Sequence, residues 1–211
     1  MKRFLVWLFL LASGFLVLVG QGVMVMVFAF ALLLLKKDKF RLSDTSNTKK
    51  KVFFVLLGFS LLFEYGAILT GYSENEFGGG TLFHPNPVLD ILISLFYWIP
   101  FSLFWTYLLT KYSYTQKSIF IIGGLYGVLT EQLFLVPMLL LTLNPLVFIA
   151  APYLFILYGS AITAPFLVVE NLLPKGLEFS KKQYLLPLLV LFPILFLVFT
   201  ILHIITGGSL Q

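Results

Sequence analysis

The chain reads as long apolar runs cut by short polar ones. An apolar run of about 20 residues is what a helix needs to cross a bilayer core about 30 Å thick. On that pattern about six spans are expected, over residues 4–35, 52–72, 88–110, 118–143, 146–169 and 184–206. They make a single integral membrane domain over 1–211. The fold class is all-α, a polytopic transmembrane helical bundle.

The first run, Phe4 to Leu35, is too long for one ordinary span: about 32 residues make roughly 48 Å of helix. Three readings compete. Met1-Lys2-Arg3, the apolar run and Ala12-Ser13-Gly14 have the shape of a secretory signal. Gly20-Gln21-Gly22 would break the run into two short halves. A single tilted helix whose start projects beyond the core is the simplest, and it is the expectation here.

The polar segments orient the spans. Residues 36–51 hold seven basic and two acidic residues, so by the positive-inside tendency this loop is cytoplasmic. The shorter basic loops Lys111–Lys117 and Glu170–Gln183 fall on the same side. Ser73–Asn86 and the Asn144-Pro145 turn hold no Lys or Arg, which suits the outer side, as does the C-terminal tail. Lys2 and Arg3, placed outside by a single first span, run against the rule.

Composition agrees. The chain is 60% hydrophobic and 11% charged, far from the balance of a water-soluble domain. The net charge of +5 does not point to nucleic acid, because the basic residues sit in short clusters between apolar runs. With no cysteine there is no disulfide, thiolate nucleophile or Cys-ligated metal.

The candidate chemistry is carboxylic. In the second run Ser60, Glu64, Ala67 and Gly71 stand at i, i+4, i+7 and i+11, one narrow stripe of small and polar residues on a helix. A glutamate in mid-membrane is costly unless protonated, paired or hydrated, and such groups are functional by default. Gly123, Gly127 and Glu131 form a similar stripe, and Gly-x-x-x-Gly lets membrane helices approach closely. Asp90 lies about a turn inside the third span, above Ser94 and Tyr97. There it either caps the helix after Pro87 or joins the acids. His203 lies near the outer end of the sixth span. Glu64, Glu131, Asp90 and His203 thus belong to the centre and outer half of the membrane, where one acidic site would hold them all. His84 reads as a turn residue. No ligand spacing supports a metal site, and no cofactor is expected.

No basic residue lies within the spans or the outer loops, which disfavours anionic substrates. No nucleophile elbow, His-Glu-x-x-His or aspartate-rich prenyl diphosphate motif is present. Prolines 100, 137, 152, 165, 187 and 193 fall in or near the spans, and a bend at Pro137 would widen a pocket around Glu131. The deeper Tyr and Trp rings offer faces that attract cations.

Two active functions and one passive one fit these residues. The first is a membrane enzyme on a neutral, apolar, isoprenoid-like lipid, with a protonated Glu as acid. Glu64-Tyr-Gly66…Thr70-Gly71 resembles the Glu…Gly…Thr-Gly segment of the membrane hydratases of carotenoid synthesis, over this short stretch alone; the resemblance implies acid catalysis by Glu64. The second is a cation- or proton-linked transporter or channel, which at this size implies a homo-oligomer. The third is an assembly subunit whose acids only join helices. The expected partners are the bilayer and a neutral lipid or a cation, and the expected location is the cell membrane, crossed several times.

Overall fold

The computed structural model describes residues 2–43, 46–73, 84, 86–130, 135–173, 182–191, 193, 196–197 and 200–201. Among them the chain is helical, with no strand. The helices are α1 (Lys2–Leu18), α2 (Val25–Phe40), α3 (Thr48–Ser73), α4 (Pro87–Lys111), α5 (Gln116–Thr130), α6 (Leu135–Leu141), α7 (Val147–Val169) and α8 (Lys182–Leu186), the last running into a π-helical turn over Pro187–Leu191. Single helical turns of 3-10 type lead into α2 at Gly22–Met24 and follow α7 at Glu170–Leu172.

The segments over α3, α4 and α7 are long and apolar enough to cross a membrane. They match the second, third and fifth expected spans. The fourth is divided: the axes of α5 and α6 differ by 66°, and Pro137 lies in the first turn of α6. Proline fits there because the first turn has no intrahelical use for its missing N–H. Three spans are therefore evident by length and composition, or four with α5 and α6 taken together. Much of the sixth lies outside the described residues.

The first apolar run is not the single tilted helix expected. It turns at Gly20, whose φ of +102° suits only glycine. Gly20 N–H donates to Val17 O and Gln21 N–H to Leu16 O, the paired bonds of a glycine-terminated helix. The corner is stitched to the last turns of α3. A Cβ on Gly22 would lie 2.4 Å from Gly66 O, so the backbones meet only because both residues are glycine. Val23 N–H donates to Thr70 Oγ1 at 3.1 Å, and Ser73 Oγ–H to Gly20 O at 2.7 Å. Gly14, before the corner, faces the Phe28 ring after it, so α1 folds back along α2.

α7 is the central post. It packs on α2 through Ala164, Leu167 and Leu33, and most extensively on α5. The Gly123–Gly127 face is the one used: a Cβ on Gly127 would fall 2.3 Å from the Tyr158 ring, and one on Gly123 2.9 Å from Tyr158 O. The expectation that this stripe faces protein holds for both glycines. α3 and α4 form the other tight pair.

The polar connections group by end. Leu42 N–H donates to Val168 O at 2.9 Å, Arg41 is ion-paired with Glu170, and Tyr114 O–H donates to Gln183 O at 3.0 Å. The segments around Arg41, Tyr114, Glu170 and Gln183 therefore share one end of the bundle. The Gly20 corner and the end of α3 lie at the other.

Candidate functional site

α3 buries the face carrying Ser60, Glu64 and Gly71, with Ala67 half-buried, and turns Phe54, Tyr65 and Leu69 outward. Glu64 is only 6% exposed. This follows from the sequence: the small residues above and below the carboxyl allow a neighbouring helix close, and the bulky ones point elsewhere.

The neighbour is α4. Its start is set by Asn86, whose Oδ1 accepts from Val88 N–H at 2.9 Å and Leu89 N–H at 3.3 Å, with Pro87 at the first helical position. Both residues favour a helix start. One turn in, Asp90 is fully buried, and its Oδ1 accepts from the His84 backbone N–H at 2.8 Å. The His84 ring accepts at Nδ1 from Asn86 N–H, 2.9 Å away, so the neutral ring carries its proton on Nε2. Asp90 thus anchors the approach to α4, as expected of an acid near a helix start.

It also does more. The Asp90 and Glu64 carboxyls are close enough to act on one another electrostatically, and Trp98 Nε1–H donates to Glu64 Oε2 at 2.9 Å. Two carboxylates so close in a water-poor site repel; a single proton between them turns the repulsion into a hydrogen bond. The pair is therefore suited to holding one exchangeable proton, or a small cation in its place.

Aromatic rings pack around the Trp98 indole that holds Glu64. Trp98 meets Tyr97 at 4.9 Å, Phe101 at 5.4 Å and Phe63 at 6.1 Å between ring centroids. Phe63 meets Tyr158 at 5.4 Å, the ring that covers Gly127 of α5. The acid pair is linked in this way to the α5–α7 contact.

Of the four residues expected at one site, Glu64 and Asp90 come together. Glu131 and His203 lie outside the described residues. His84 contributes its backbone rather than its ring to the acids. No three His, Cys, Asp or Glu side chains are placed to hold a metal among the described residues. Sequence reasoning missed Trp98 as the partner of Glu64. The signal was there: Asp90, Ser94, Trp98, Ser102 and Thr106 recur every four residues, and all five are buried.

No protein-family model matches the chain, and neither a curated protein nor a solved structure resembles it significantly. The short likeness to the hydratase segment gains nothing from these comparisons.

Proposed function

We propose that this is a multi-pass membrane protein working through a proton held between Glu64 and Asp90, in proton- or cation-linked transport across the cell membrane. The observation that carries the reading is the meeting of the two carboxyls on the buried faces of α3 and α4, with the Trp98 indole fixing one of them. No basic residue in the spans competes for the pair. The polar face of α4 continues from it toward the opposite end of the bundle.

The α1–α2 hairpin supports one orientation. With α1 and α2 as a hairpin, Lys2 and Arg3 join the basic loops, so the Lys and Arg of the described residues fall at one end. By the positive-inside tendency that end is cytoplasmic, the C-terminus is outside, and the acids lie in the outer half of the membrane. The absence of cysteine makes single-cysteine labelling a direct check. Cysteines placed at 2 and at 49 are to react from the same side, and one at 144 from the other.

A second reading draws on the rings around Trp98. A protonated carboxyl beside Trp98, Phe63 and Tyr158 is also what an enzyme would use to protonate a neutral lipid and shelter the resulting cation. Purified protein in liposomes under an imposed pH gradient separates the readings. Transport predicts proton flux that Glu64→Gln and Asp90→Asn abolish. Lipid chemistry predicts no flux, with a change in extracted neutral lipids lost in Glu64→Gln. Loss of thermal stability alone would leave the acids as structural joints.

A further inference from the structure

We propose that the α4 face below the acid pair is wet, holding a short file of buried water that joins the basic end of the bundle to Glu64 and Asp90. Asp90, Ser94, Trp98, Ser102 and Thr106 carry a polar atom at each turn of this buried face, over roughly 24 Å of helix. In its upper part, Asp90 Oδ1 accepts from His84 N–H, Ser94 Oγ–H donates to Ile91 O and Trp98 Nε1–H donates to Glu64 Oε2.

Lower down, Thr106 Oγ1–H donates to Ser102 O at 2.7 Å; the groups around it are not so paired. Ser102 Oγ, Trp105 Nε1 and both amide atoms of Gln183 are buried without a hydrogen-bond partner among the described residues. Each of these three side chains is fully buried. A polar atom withdrawn from water and given nothing in return is strongly disfavoured, so native proteins rarely keep one. Four such atoms in one region point to an occupant that pairs them.

The region is continuous. Ser102 and Trp105 are three residues apart, hence neighbours on one helix face. The Trp105 ring packs beside that of Tyr114, with centroids 6.4 Å apart, and Tyr114 O–H reaches Gln183 O. The chemistry selects water. The indole only donates, the amide both donates and accepts, and the hydroxyl does either. An anion would leave the amide oxygen unpaired, and a cation would face the indole N–H. Water, with two donors and two acceptors, fits this mixed neutral set.

Such a file gives the proposed proton a route. A proton entering at the basic end passes from water to water beside Gln183, Trp105 and Ser102 and reaches the carboxyl pair, with Ser60 one turn inward of Glu64 on α3. The route rests on the transport reading; the water itself does not.

Radiolytic hydroxyl labelling of the full chain in lipid nanodiscs, read residue by residue, tests it, because buried water generates radicals where bulk solvent cannot reach. The expected result is oxidation of Trp105 many-fold faster than of the equally buried Phe166, cut several-fold by Ser102→Val with Gln183→Leu and restored by Ser102→Thr with native Gln183. Trp105 as inert as Phe166 overturns the proposal, as does labelling unchanged in the double variant. Should that variant misfold, the comparison of Trp105 with Phe166 in the unaltered chain decides by itself. Proton flux is measured in parallel. Labelled Trp105 without flux keeps the water and sinks the transport reading; flux with an unlabelled Trp105 does the reverse.

Discussion

Replacing Trp98 by Phe removes one donor and keeps a ring. The indole N–H is 2.9 Å from Glu64 Oε2, and both side chains are buried. Leaving a buried acceptor unpaired costs about 1–3 kcal/mol. Phenyl is smaller than indole by about 40 Å³, and a void of that size at about 24 cal/mol per Å³ adds about 1 kcal/mol. Trp98→Phe is therefore expected to destabilise by about 2–4 kcal/mol in all. In a Glu64→Met background the orphaned acceptor is gone and the indole N–H is itself the unpaired group, so there the same change is expected to cost about 1 kcal/mol or less. The assay is reversible unfolding in mixed micelles followed by far-ultraviolet circular dichroism, which does not depend on tryptophan emission. If the Trp98 and Glu64 changes are additive within about 0.5 kcal/mol, the indole does not hold the carboxyl, and the site as described is wrong.

Three further outcomes follow from other parts of the fold. Gly22→Ala places a Cβ 2.4 Å from Gly66 O and is expected to cost about 1–3 kcal/mol by overpacking; thermal unfolding equal to the unaltered chain would separate the Gly20 corner from α3. Leu143 ends α6 with φ +52°, a left-handed conformation costing a non-glycine residue about 1–2 kcal/mol. Leu143→Asn, which tolerates that region, is expected to raise the melting temperature, and a fall would refute the strain. Burial pushes the Tyr114 phenol above its ordinary value, so the folded protein keeps it protonated where the unfolded chain ionises. Its contribution to stability is complete below about pH 10 and is lost as pH rises further; unfolding midpoints from pH 9 to 11 are expected to fall less steeply in Tyr114→Phe.

Much of the helical layout was legible in the chain because it depends on one-dimensional quantities. The lengths of the apolar runs set α3, α4 and α7 to within a few residues. The i, i+4 spacing put Ser60 and Glu64 on one face, and the same arithmetic put Gly123 and Gly127 on another. Pro87 marked the start of α4, whereas its cap, Asn86, was read as loop. Where a local conformation rather than a run of hydrophobicity decided the outcome, the reading failed. A break at Gly20-Gln21-Gly22 was one reading of the run, but the apolar stretches on both sides favoured one helix; the positive φ of Gly20 and the close approach of Gly22 to Gly66 made it two.

The sequence by itself determined that this chain is a set of apolar helices with basic connections, and that carboxyls lie among them. Hydrophobicity and helical period are properties of neighbours along the chain, and no partner is needed to read them. Only the tertiary structure decided which carboxyls meet. Glu64 and Asp90 are 26 residues apart along the chain, and nothing in their spacing says that α3 and α4 bring them together, that Trp98 reaches between the helices to hold one of them, or that the Ser102 hydroxyl, the Trp105 indole N–H and the Gln183 side-chain amide are buried below without a partner among the described residues. Those relations depend on how two helix faces are rotated and slid against one another. Packing sets that, and with it the buried acid that opened the question of function becomes a pair sharing one site.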